Sequence, residues 1–199
     1  MNSRFPALLA ALCAAGVLQG CVEMAVVGAG AGVVSAVDRR TTGTQIEDEG
    51  IELRVANRIS ERFGDKAHVN VIAFNRSVLL TGEVPDATAK AEVERIARGV
   101  TNVRGVTNEV QVAGVSAYSA RASDSTITGK VKARFLDANR FNAIHVKVVT
   151  EAGVVYLLGL VTDKEAADAT EIARTTSGVR KVVKVLEYCR PNEEACRPR

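Results

Sequence analysis

An α+β chain made of one small domain written twice is what this sequence predicts, each copy an α-β-β-α-β unit with two helices packed on a three-stranded mixed sheet. Two observations carry the prediction. The first is an internal repeat. Ile51, Val55 and Ile59 recur 76 residues later as Ile127, Val131 and Phe135, and Leu80, Gly82, Val84 and Asp86 recur 77 later as Leu157, Gly159, Val161 and Asp163. Ile96-Ala97-Arg98 and Val103-Arg104 recur as Ile172-Ala173-Arg174 and Val179-Arg180. So many matches in one register mark a duplicated unit. The second is periodicity, which switches within each copy from a spacing of four to alternation and back.

The elements follow in order. Apolar residues spaced by four (Ile51, Val55, Ile59, Phe63; Ile127, Val131, Phe135) describe a first helix, with Asp48 or Asp124 placed as an N-terminal cap or first-turn acid. Val69-x-Val71 or Val146-x-Val148 alternates as a strand. Asn75-Arg76, or Glu151-Ala152-Gly153, is a break short enough for a hairpin into a second strand, Val78–Val84 or Val154–Val161. Gly82 and Gly159 lie inside that strand, where glycine marks a bulge or a close backbone approach. A second helix begins after Asp86 or Asp163, with Gly99 or Gly178 near its end. A last strand, Val106–Val112 or Val182–Leu186, closes each unit. The copies span residues 48–113 and 124–188. The Ser- and Ala-rich stretch 114–123 reads as a linker, and 189–199 as a polar tail.

The N-terminus has its own logic. Arg4 is followed by an apolar run from Ala7 to Leu18, of signal-peptide length and too short to span a bilayer. Residues 1–20 therefore read as an export signal. It ends in Leu18-Gln19-Gly20-Cys21, which resembles the bacterial lipobox, and the resemblance implies that Cys21 is acylated and becomes the mature N-terminus. Val22, rather than an aspartate, follows Cys21, and the sorting rule of such lipoproteins then implies the outer membrane. Residues 22–37 (VEMAVVGAGAGVVSAV) and the polar stretch 38–45 read as a small-residue tether and linker. Gly28, Gly30 and Gly32 fit no phosphate-loop pattern. Cys189 and Cys196 can close a small disulfide loop in an oxidising compartment, and no histidine lies near to complete a metal site.

The Leu-x-Gly-x-Val strand (Leu80–Val84, Leu157–Val161), the Ile-Ala-Arg helix and the Val-Arg-x-Val strand (Val103–Val106, Val179–Val182) resemble the BON domain family. The full order of lipobox, small-residue segment, linker and two copies is similar to that of dual-BON-domain outer-membrane lipoproteins. The resemblance implies binding of anionic phospholipid and support of outer-membrane integrity, at the periplasmic face, without catalysis.

The residues themselves offer little chemistry. The two histidines, His68 and His145, are repeat-equivalent and suit a fold position at a strand start. No serine has a nucleophile signature, and acids such as Glu92, Glu94, Asp168 and Glu171 are scattered over helix faces. No cofactor or metal is expected. A net charge of +3, no Trp and 4% aromatics argue against nucleic acid. The copies differ in charge: nine Lys/Arg against ten Asp/Glu in the first, ten against eight in the second. Lys130 and Arg134 lie four apart, and with Thr126 and Ile127 they make the expected lipid contact, one that is weak and salt-sensitive because no aromatic anchors it. The alternative is a lipid-tethered adaptor that docks envelope assembly proteins or cell-wall machinery.

Overall fold

The helices start earlier than the apolar spacing suggests. The structure, a computed structural model, describes residues 38–114, 118–193 and 196. Cys21, the export signal and the segment 22–37 lie outside the described residues. The first helix, α1, runs from Thr42 to Phe63, and Thr41 caps it by accepting the Thr44 N–H at 3.2 Å. Helix α3 of the second copy runs from Tyr118 to Ala138. Residues 42–45 and 118–123, read as linker from composition, are therefore helical. The Ile-Val-Ile spacing marked only the stretch that is buried, while the polar first turns extend beyond it.

That shift changes the role of two residues. Asp48 and Asp124 are not caps of their own helices. They sit inside α1 and α3, almost fully buried. Strands β1 (His68–Phe74) and β2 (Ser77–Val84) are joined by a two-residue turn, as are β5 (Val146–Glu151) and β6 (Val154–Val161). Both central residues of each turn have positive φ, 50° and 64° at Asn75 and Arg76, 48° and 73° at Ala152 and Gly153. This primed turn matches strand twist but is strained for non-glycine residues. Asp48 accepts the N–H groups of Asn75 and Arg76 at 2.7 and 2.6 Å, and Asp124 accepts those of Ala152 and Gly153 at 2.9 and 2.8 Å. Each aspartate thus ties a helix to the hairpin it packs on.

The second helices are α2 (Ala87–Arg98) and α4 (Asp163–Arg174). Asp86 caps α2 through the Ala89 N–H. In α4 the cap is Thr162, in a reciprocal capping box with Glu165, and Asp163 is the first helical residue. The helices cross over to strands parallel to β2 and β6. In the second copy this strand, β7, is continuous over Lys181–Tyr188. In the first it is split into β3 (Gly105–Asn108) and β4 (Gln111–Val112), both paired with β2. Between them the fully buried Val110 turns inward and donates its N–H to Asn108 Oδ1 at 3.2 Å.

Each copy has its own helix–sheet core, around Ile51, Val55, Leu80 and Val93 in the first and Val131, Phe135, Leu157 and Ala169 in the second. A third core lies between the copies. Ile72, Phe74 and Leu79 pack with Tyr156 and Leu158, so the sheets face one another and the helices form the outer layers. From Arg39 onward the described residues form one compact unit.

Candidate functional site

The residues expected to meet lipid do not form one surface. Helix α3 turns Ile127 inward, where it is 6% exposed within the second core. Arg134 is half-buried, and its Nη1 donates to the Ile172 carbonyl at 2.9 Å and to Thr176 Oγ1 at 2.8 Å. Its repeat counterpart Arg58 likewise donates to the Gly99 carbonyl at 3.2 Å, at the end of α2. A cation on the last carbonyls of a helix opposes the negative end of the helix dipole. Arg134 is thus part of the fold. Of the four expected residues only Thr126 and Lys130 are exposed, and the Thr126 hydroxyl donates to the Ala122 carbonyl. We expect Arg134→Ala to cost about 1.5–3 kcal/mol of folding stability, the usual worth of hydrogen bonds from a charged group. Denaturant melts should show that loss, and liposome affinity should change little while the protein stays folded.

The outward strip of α3 is different from the expected one. Successive residues advance by about 100° around a helix, which brings Thr126, Gly129, Ala133 and Leu136 together opposite the buried Val131. All four are exposed, Leu136 by 69%. Lys130 and Lys132 flank this strip on its two sides, both exposed, and Asp137 partly offsets Lys130. Leu136 does not stand out in the sequence because Phe135 beside it already fits the core spacing. Leu136 lies about 100° past Phe135 and off the Ile127, Val131, Phe135 row, and that was the available signal. Beyond α3 the chain passes Ile144, 40% exposed, before entering β5. Nearby, Phe135 and Phe141 meet edge to face at 5.0 Å.

The corresponding face of α1 is mostly paired. Arg54 meets Glu47 at 2.7 Å, and Glu52 takes both the Ala73 N–H at 2.8 Å and Lys147 of the second copy at 2.9 Å. Ile46 and Leu53 are exposed there, with Glu49 beside both on the helix face and no lysine flanking them.

Other candidate groups lie apart from α3's strip. His68 opens β1, and its carbonyl oxygen lies against Gly82. His145 sits in the turn before β5, with Nδ1 3.4 Å from Glu165. Burial opposes ionisation of Glu165, but the Arg39 guanidinium and the Thr162 N–H and hydroxyl outweigh it and hold the carboxyl at about 2. Cys189 and Cys196 are joined as a disulfide, with Cα atoms 6.0 Å apart. Among the described residues no group of three or more His, Cys, Asp or Glu could hold a metal ion, and no helix is long and apolar enough to cross a membrane.

Comparison with known proteins agrees with the duplicated architecture. Residues 47–114 and 123–190 each match the family described as BON domain. Among similar proteins, one from Haemophilus influenzae named Outer membrane lipoprotein DolP is 40% identical over 173 residues, covering 86% of this chain and 90% of its own length. The 21 kDa hemolysin of Actinobacillus pleuropneumoniae is 37% identical over 154 residues, covering 76% and 79%. Osmotically-inducible protein Y of Escherichia coli is 29% identical over 144 residues, covering 70% and 72%.

Proposed function

The chain belongs to the BON domain family, with two tandem copies, and from that premise we propose that it is a non-enzymatic lipoprotein of the outer membrane whose second copy binds anionic phospholipid and supports membrane integrity. Acyl chains on Cys21 hold it at the periplasmic face. More than one chain makes the anchor firm, since each buried CH₂ contributes about 0.8 kcal/mol. The 40% identity to a protein named as an outer membrane lipoprotein supports the location. The disulfide between Cys189 and Cys196 suits an oxidising compartment.

The observation that carries the lipid reading is the outward strip of α3, apolar along its middle and edged by Lys130 and Lys132. A small apolar strip between lysines can seat in the headgroup region while the ammonium groups reach phosphates. Each lysine near an anionic surface contributes about 1 kcal/mol, decaying over a Debye length of about 8–10 Å. The two together amount to about a thirtyfold change in affinity. Leu136 adds up to about 1.5–3 kcal/mol if it is fully withdrawn from water.

The test uses mature chain with Cys21→Ser, so that no anchor masks the surface, and vesicles rich in phosphatidylglycerol. The triple variant Lys130→Glu, Lys132→Glu, Leu136→Glu should lose binding while keeping the wild-type melting temperature, and raised salt should weaken wild-type binding in the same direction. Wild-type binding by the triple variant would overturn the lipid surface. The protein would then be read as a lipid-tethered adaptor.

A further inference from the structure

We propose that Glu151 makes the seam between the two copies a proton-operated joint, tighter when the carboxyl is neutral than when it is charged. The seam is apolar over most of its area, where Ile72, Phe74 and Leu79 meet Tyr156 and Leu158. One end is polar. On the first copy, Asn70 lies across from Thr81 and His68 across from Glu83, on the sheet face that also carries Ile72 and Leu79, because side chains alternate with a period of two. Into this end the second copy inserts Glu151, the last residue of β5, which is 7% exposed.

The partners of Glu151 are neutral. Its Oε2 accepts from Asn70 Nδ2 at 2.7 Å and from Thr81 Oγ1 at 3.5 Å, both across the seam. Among the described residues it forms no ion pair, whereas the other charged bridge across the seam, Lys147 to Glu52, has both partners. The charged and titratable groups that face it are His68 on β1, Glu83 on β2, Arg121 and Asp124 on α3 and Tyr156 on β6. Glu83 is itself only 7% exposed, and Asp124 is committed to the turn that follows Glu151. A buried carboxylate held only by neutral donors, with other carboxylates near, favours its protonated form. Burial accordingly pushes the Glu151 carboxyl up from its ordinary range, opposed by the Asn70 hydrogen bond and by His68, with Glu83 and Asp124 pushing it further up.

The sign follows from linkage. A carboxyl whose folded value is raised opposes folding while it is ionised. The packed form gains stability as pH falls through the folded value, and the gain is complete below the value of the unfolded chain, 4.5. Glu151 is a positioning residue here: it acts on the packing of the copies, and its neighbour Asp124 ties that packing to α3.

The experiment places spin labels on exposed positions of the two outer helix layers, Thr88→Cys on α2 and Ala167→Cys on α4, in mature chain with Cys21→Ser. Wild type should show a distance distribution that narrows as pH falls from neutral to below 4.5, the ordinary value of the group, with the change centred above that value. Glu151→Gln, an uncharged mimic, should be narrow at both ends of that range. A separate denaturant melt confirms that the variant is folded, and its midpoint should lose the component that rises on acidification. A wild-type distribution that does not change with pH, or a Glu151→Gln variant that changes as wild type does, would overturn the joint.

Discussion

Gly82→Val is expected to cost about 3 kcal/mol or more of folding stability, the sum of backbone strain and overpacking. Gly82 pairs with Val69 across the first hairpin and has φ of +104°, a conformation that side-chain-bearing residues rarely adopt. A Cβ there would also fall inside the contact distance of the His68 carbonyl oxygen, a backbone atom that cannot swing away. Gly159 holds the equivalent place against the His145 carbonyl oxygen, but without the left-handed backbone. Gly159→Val should therefore be destabilising by the steric share alone, and the two copies serve as controls for each other. Urea titration of each variant checks the order. Equal midpoints for both variants and wild type would show that these strands have room the structure does not.

Asp124→Ala should cost about 3–6 kcal/mol, because it strands two turn amides whose hydrogen bonds to a charged acceptor are each worth about 1.5–3 kcal/mol. One of the two bonds, to Gly153, is buried. The turn also holds Ala152 at φ 48°, a strained position that the carboxylate helps to maintain. Asp124→Asn keeps one side-chain oxygen as acceptor and should lose about half as much. The expected signature is a lower melting temperature, with amide exchange fastest at residues 150–155. Protection there at the wild-type level would mean that the hairpin forms without its clamp.

Much of this was legible beforehand for a definite reason. The repeat, the two hairpins and the buried faces of α1, α2 and α4 depend on local signals, namely periodicity, turn residues and spacing. The glycines in β2 and β6 could likewise be read as close approaches, since nothing else explains a glycine within an apolar strand. Helix starts could not be read the same way. Thr42 to Gln45 and residues 118–123 are polar or small; Thr41 caps the first of these turns, and Asp48 and Asp124 tie the helices to their hairpins.

The candidate site divides along the same line. Thr126 and Lys130 were placed on a surface and are on one. Ile127 and Arg134, three and four residues from Lys130, were placed there too, yet a wheel does not say where its core side begins. The neighbours decided it: Val131 and Phe135 draw Ile127 inward, and the end of α4 takes Arg134.

The sequence by itself determined the class, the duplication and the chemistry that each element can offer, because these rest on contacts near in the chain. Only the tertiary structure decided how the copies meet. Val78-Leu79-Leu80 and Val155-Tyr156-Leu157-Leu158 are apolar on both faces of their strands, which says that both faces are covered but not by what. That Leu79 meets Tyr156 and Leu158, and that Glu151 is buried among side chains of the other copy, depends on residues some 70 to 80 positions apart. Such contacts carry no local periodicity, so no window of the sequence could display them.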